Sequence, residues 1–371
     1  MNSKTVRRFF KLFQFATLLG VLGVVVADGA RAVAQSALTP EKKYSFNFEN
    51  VDLRPVITSL ALSKDKSTIY VGGDNQRVYS CDVNDSTFEL ALSHSARSRA
   101  NNAEGKDWIR ALAFSPARDS NLLATLSQDG QVTFWNVDTR EAVMQTELQT
   151  TEEIKGAHSV AFLAGGRMIA VSAYKSYVNI YDCDNRLQLY AVWDAPGVNT
   201  TELVASPNGR LLAMGGRSGK MRICQTKTPT QYAEFTLTSN NAQQPRRIRA
   251  IAFSPSGKLV AVGGDANQIA VCEVGVSSDG AVSIGRQVAS LSVESGKVYS
   301  LTFCGEDELA AGYSTNFVKV WDLSSQSVAL TSSTEHKGTV STMYYDEEAE
   351  ALYTGSYDTT VIRWFVPKKT R

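Results

Sequence analysis

The chain has few residues suited to covalent chemistry. Its three histidines are His94, His158 and His336, and no Ser–His–Asp order or H-E-x-x-H run gives them a nucleophile or a zinc pair to serve. The five cysteines, Cys81, Cys183, Cys224, Cys272 and Cys304, never form a C-x-x-C pair. Thiolate metal spacing is therefore missing, and the odd number prevents a complete disulfide framework. Runs such as DVNDS from Asp82 lack calcium-loop spacing. No GxGxxG or GxxxxGK[ST] segment exists to cradle a phosphate. The glycine pairs Gly72-Gly73, Gly215-Gly216 and Gly263-Gly264 recur at one register and read as close sheet-to-sheet packing. These features lead us to expect no catalytic residue, metal or cofactor. What remains is recognition chemistry: Arg, Tyr and His side chains at recurring positions.

Those positions belong to a repeat. IRALAFSPARDSNLLATLSQDGQVTFWNV from Ile109 and IRAIAFSPSGKLVAVGGDANQIAVCEV from Ile248 match nearly residue for residue. Five further segments, starting at Ile57, Ser159, Thr201, Val298 and Val340, follow the same plan of three short strands and two polar turns. The residue closing each third strand is Cys81, Trp135, Tyr181, Cys224, Cys272, Trp321 and Trp364, at intervals of 43 to 54 residues. Alternation such as VTFWNV and VKVWDL is that of a strand, and Gly and short polar turns punctuate the chain about every 8–12 residues. No helical stripe follows residue 40.

This pattern resembles the WD-repeat family. Trp321-Asp322 is a literal WD pair, and HKGTV…TGSYDTTVIRW resembles the family's hydrogen-bonded tetrad in His336, Ser356, Asp358 and Trp364. The second repeat keeps Ser127, Asp129 and Trp135 with no matching histidine, and repeats one, three, four and five lack the tryptophan. The resemblance covers about residues 44–366. It implies an all-β, seven-bladed β-propeller that binds proteins and is not an enzyme. A fourth strand follows each of the first six markers, but too few residues follow Trp364. Residues 42–50, KKYSFNFEN, are expected to complete the last blade and close the ring.

In such a propeller, partners dock on the loops that enter the inner strands. Register places Thr58, Arg110, His158, Thr201, Arg249, Tyr299 and Ser341 in one ring, and Asp74, Gln128, Tyr174, Arg217, Asp265, Ser314 and Tyr357 in a second. Arg110, His158, Arg249, Tyr299, Tyr174, Arg217 and Tyr357 are the expected protein-binding residues, because Arg and Tyr favour interface hot spots. Arg97, Arg99, Arg246 and Arg247 lie in nearby loops. His158 reads either as a contact or as an ordinary loop histidine, and His94 as a solvated loop residue. The inner strands ALAF, AIAF, SVAF and SLTF gather no Asp, Glu or His, which favours binding over an enzyme or small-ligand site in the central channel.

Net charge is +1, so a nucleic-acid partner is not expected. Residues 1–34 have the layout of a secretory signal: basic Lys4, Arg7, Arg8 and Lys11, an apolar run from Phe13, and A-x-A sites ending at Ala32 and Ala34. Sec and twin-arginine export both remain open. The expected organisation is a signal over 1–34 and a propeller over 35–371, exported to the periplasm or secreted. If 1–34 is retained, it becomes a membrane anchor and the protein an anchored assembly factor. The expected partner is a protein, either an acidic or phosphorylated peptide or a protein loop, bound by a monomeric propeller within a larger assembly.

Overall fold

Each repeat opens with a strand of small and branched apolar residues, and these strands meet around a channel. The structure is a computed structural model that describes residues 36–48, 54–94, 108–117, 120–147, 157–173, 177–239 and 242–369. The expected export segment, 1–34, lies outside them, as do Tyr174, Arg97 and Arg99. In chain order the inner strands are Ile57–Leu62, Ile109–Phe114, Ala157–Leu163, Thr200–Ala205, Ile248–Phe253, Val298–Phe303 and Val340–Asp346. Each contacts the next, and Val340–Asp346 returns to Ile57–Leu62, which closes the ring. Three further strands stand outside each inner one, so the described residues form seven four-stranded units. This is the all-β propeller expected from the repeats.

The register is the one the marker residues implied. Cys81, Trp135, Tyr181, Cys224, Cys272, Trp321 and Trp364 each stand opposite an apolar residue of the second strand, from Ile69 in the first blade to Leu352 in the last. The apolar core is divided into seven clusters, one between each pair of neighbouring sheets. The first glycine of each pair explains how closely the sheets approach. A Cβ at Gly72 would lie 2.6 Å from Ile109 Cγ2 of the next blade, and one at Gly263 would lie 2.9 Å from Val298 Cγ1. Hydroxyls add polar stitches across the same joints. Ser341 Oγ donates to Ile57 O at 2.6 Å, and Ser300 Oγ donates to Val340 O at 3.0 Å.

Closure uses more of the N-terminal segment than expected. The strand runs Pro40–Phe46 and pairs antiparallel with Val361–Phe365, with Tyr44 opposite Val361. Its bounds differ from 42–50 because the chain leaves the last blade at Ser45 and Phe46, which pair in parallel with Thr87 and Phe88 of the first. Upstream, Ser36 and Ala37 pair in parallel with Leu330 and Thr331 of the sixth blade. Burial drives this path. Leu38 enters the cluster between blades six and seven, and Tyr44 and Phe46 enter the one between seven and one. The Tyr44 hydroxyl donates to Val83 O at 3.0 Å, so its polar end is satisfied.

Two tetrad expectations are corrected. In blade seven the hydroxyl linking histidine to tryptophan is Thr354, not Ser356. His336 Nε2 lies 2.8 Å from Thr354 Oγ1, which also accepts from Trp364 Nε1 at 2.8 Å. Ser356 instead donates to Gly338 O and accepts from the Asp358 amide. His336 Nδ1 pairs with Asp358 Oδ2 at 3.1 Å. Burial works to raise the Asp358 carboxyl, but the His336 bond and charge and the Thr360 hydroxyl outweigh it and hold it at about 2. Blade two does have its histidine: His94 is buried, not solvated, with Nε2 at 2.6 Å from Thr125 Oγ1 and Nδ1 at 2.9 Å from Gln131 Oε1. All five cysteines are free, and burial pushes the Cys272 thiol up to about 11.

Candidate functional site

The inner strands place half-buried residues near their starts around one mouth of the channel, where a cavity of about 540 Å³ opens. Three layers of side chains line it. The rim carries Arg110, His158, Arg249, Tyr299, Arg217 and Tyr357, joined by Trp108 and Arg247. One residue deeper on each strand stand small groups such as Ser59, Ala111, Ser159 and Ser300, with Glu202 breaking the series. Below these, Leu60, Leu112, Val160, Leu203, Ile251, Leu301 and Met343 form an apolar girdle. The site is therefore a polar cup with a greasy floor.

Six of the seven expected protein-binding residues line the cavity; Tyr174 lies outside the described residues, and Asp74, Gln128, Asp265 and Ser314 of the second ring are not among the lining residues. Two residues of the second ring, Gln128 and Asp265, orient arginines of the first. Arg110 Nη2 donates to Gln128 Oε1 at 2.6 Å, and its guanidinium lies 4.4 Å over the Trp108 ring. Arg249 Nε contacts Asp265 Oδ1 at 2.5 Å, while its guanidinium covers Tyr299 at 4.6 Å. Tyr299 meets Tyr357 edge-on, with centroids 6.4 Å apart. Cation–π stacking and these paired bonds fix the arginine forks before a ligand arrives. Thr58 and Ser341 serve the ring itself, through bonds to the carbonyls of Ile109 and Ile57 in the next blades.

An insertion stiffens the approach to blade five. Thr238–Ser239 and Ala242–Pro245 pair as a short hairpin, and the Arg246 amide donates to Leu237 O at 2.8 Å. The following residues, Arg247 and Arg249, then face the cavity.

Electrostatics divide the cup. Burial first, then the charges of Arg110, Arg217 and Arg247, hold the His158 imidazole down at about 3. His158 is thus neutral at physiological pH and does not add to the cationic charge. Burial raises the Tyr357 phenol, as does Tyr299, against the pull of Arg110, Arg249 and Arg247. Burial pushes the Glu202 carboxyl up to about 8. It is the single acidic residue of the described lining, and it lies on the fourth inner strand, outside the four strands ALAF, AIAF, SVAF and SLTF read from the sequence. Its signal is legible in TTELV from Thr200, where the equivalent positions hold Ser, Ala or Thr.

Comparison with known proteins gives the fold and one repeat. The model of the WD domain, G-beta repeat, matches residues 235–272. That span runs from the outer strand of blade four to the marker Cys272 of blade five. No curated protein matches the sequence. A chain from the solved "Crystal Structure of Mitotic Checkpoint Complex" is similar in fold, with a TM-score of 0.69 and 15% identity over 95% of this chain and 100% of that one. In all, 1882 solved chains match, so this architecture alone does not select a function. The chain carries a WD40 repeat and has the fold of a WD40 β-propeller.

Proposed function

We propose that the protein is a recognition module that takes a segment of another protein into the cationic mouth of its channel. A WD40 propeller suggests protein partners, and the chain of similar fold comes from a complex, the mitotic checkpoint complex. The observation that carries the reading is the convergence of Arg110, Arg217, Arg247, Arg249, Tyr299, Tyr357 and Trp108 on one cavity. These residue types dominate interface energetics, and several are already oriented by neighbours, which lowers the ordering penalty of binding. The partner segment is acidic, because guanidiniums outnumber carboxylates in the described lining. Binding, not catalysis, is the role assigned to the cup. The protein acts outside the cytoplasm, with residues 1–34 as the export signal.

The test compares the wild type with the Arg110→Ala/Arg249→Ala/Tyr357→Ala variant in crosslinking and affinity capture from native cells. We expect partner capture to be lost with little change in Tm. Undiminished capture by a folded variant would remove this mouth from consideration. N-terminal sequencing of the mature protein tests the export reading; a start near residue 35 is expected, and a retained 1–34 segment overturns signal cleavage.

A further inference from the structure

The mouth opposite the arginine rim is packed unevenly. The sixth residue of each inner strand faces the preceding blade. It is Leu62, Phe114, Phe162, Phe253, Phe303 or Tyr345 in six blades and Ala205 in the fourth. Its neighbour across the joint is the fifth residue of the preceding strand, so Phe253 shares a cluster with Val204, and Phe303 shares one with Ala252. Between blades three and four the pair is Ala205 and Ala161, and no large side chain fills the layer there.

A cavity of about 350 Å³ opens at this place, walled by Phe114, Phe162 and Val204 and edged by the exposed Pro116 and Pro207. It reaches inward to Val160 and Leu203 of the girdle. Its rim is set in advance: the Ala164 amide donates to Gly209 O at 3.5 Å, and Ser206 Oγ donates to Asn208 Oδ1 at 2.8 Å. Beside it, Arg167 is paired with Asp184 at 3.1 Å. Arg210, next to the lining Gly209, is exposed and enters no ion pair among the described residues. The edge thus carries an uncompensated positive charge, which selects an acidic neighbour.

We propose that this cavity docks one aromatic side chain of a protein partner, presented by an acidic segment. The ring takes the place that phenylalanine holds at other joints, and the acid beside it meets Arg210. Filling the cavity removes apolar wall from water, and a preset rim lowers the cost of binding. The site lies on the face away from the arginine mouth and is independent of it.

The test titrates the full-length chain, isotope-labelled at its alanine methyls, with the amides of N-acetyl-Glu-Phe-Glu, N-acetyl-Glu-Ala-Glu and N-acetyl-Lys-Phe-Lys. We expect saturable binding of the first, with contacts from its ring protons to the Ala161 and Ala205 methyls, and a loss of about tenfold or more for the other two. Ala205→Phe supplies the missing ring from within; it should keep the Tm and weaken binding of Glu-Phe-Glu about tenfold or more. Ala205→Leu fills less of the space and should weaken binding to a smaller degree; it decides the case if the phenylalanine variant does not fold. Unchanged binding in a folded variant, or no contact to the two methyls at saturation, overturns the site. Phenylacetate binding as tightly as Glu-Phe-Glu overturns protein docking in favour of a small molecule, and Lys-Phe-Lys binding as tightly overturns the acidic partner. Because contacts are read at Ala161 and Ala205, a failure here leaves the reading of the arginine mouth standing, and the reverse holds as well.

Discussion

His94 Nε2 lies 2.6 Å from Thr125 Oγ1, and the same hydroxyl accepts from Trp135 Nε1 at 2.9 Å. Blade two thus repeats the His336–Thr354–Trp364 linkage of blade seven, with Gln131 at the outer end where blade seven has Asp358. In a buried chain of this kind, removing the central hydroxyl strands two partners. Thr125→Val and Thr354→Val should each destabilise the fold by about 1–3 kcal/mol in denaturant titrations. The His94→Ala/Thr125→Val double variant should lose less than the sum of its parts. Full additivity would show that the linkage does not act as a unit.

Tyr44 is fully buried in the joint between the last and first blades. Tyr44→Ala should cost about 3–5 kcal/mol, the range for a buried aromatic truncated in a packed core. Chemical denaturation measures it, and a loss under about 1 kcal/mol would show that closure does not depend on this strand.

Gly263 faces Val298 of the next blade with no room for a methyl group. Gly263→Ala should destabilise by about 1–3 kcal/mol through overpacking. Adding Val298→Ala should recover part of that loss beyond additivity, since the two atoms compete for one space. A Gly263→Ala variant of unchanged stability would contradict the packing role.

Glu202 and His158 give opposite pH signatures. Glu202 has its folded value raised to about 8 from the ordinary 4.5, so the folded state holds its proton longer than the unfolded state does. Its contribution is intact below the unfolded value and is lost as pH rises from 4.5 through 8. Glu202→Gln should therefore gain on the wild type between pH 5 and 8, by about 1–3 kcal/mol; the lower end is expected because this residue is only half-buried. Thermal melts across that range check it, and parallel wild-type and variant curves would refute it.

His158 is depressed to about 3 from 6.5, so here the unfolded state takes up the proton first. Stability falls as pH drops below 6.5 toward 3. His158→Gln should lessen the loss between pH 6.5 and 5 by about 2 kcal/mol. An unchanged acid limb would mean that the imbalance lies elsewhere.

The repeat plan was legible because the residue closing each third strand packs against the second strand of its own sheet. That position stays apolar even where tryptophan becomes cysteine, as at Cys81, Cys224 and Cys272. The rim was legible for the same reason: register carries Arg110 and Arg249 to equivalent places. His94 was hidden by loop length. It precedes Trp135 by 41 residues, whereas His336 precedes Trp364 by 28, and spacing in a loop is not fixed by any ladder of hydrogen bonds. Thr354 was missed for a different reason. It lies two residues before Ser356 on a strand, so both point to the same face, and only the distances to His336 decide between them. The path of Ser36–Phe46 across several sheets was invisible because parallel pairing of so few residues leaves no periodic trace.

That same N-terminal path has a mechanical meaning. Ser36 to Phe46 is bonded in turn to the sixth, seventh and first sheets, so the place where the ring is joined is overlapped on both sides, as bricks are staggered across a wall. Tension applied at either neighbour is shared over three sheets, and neither the joint of blades six and seven nor that of blades seven and one can part without breaking pairs of this segment.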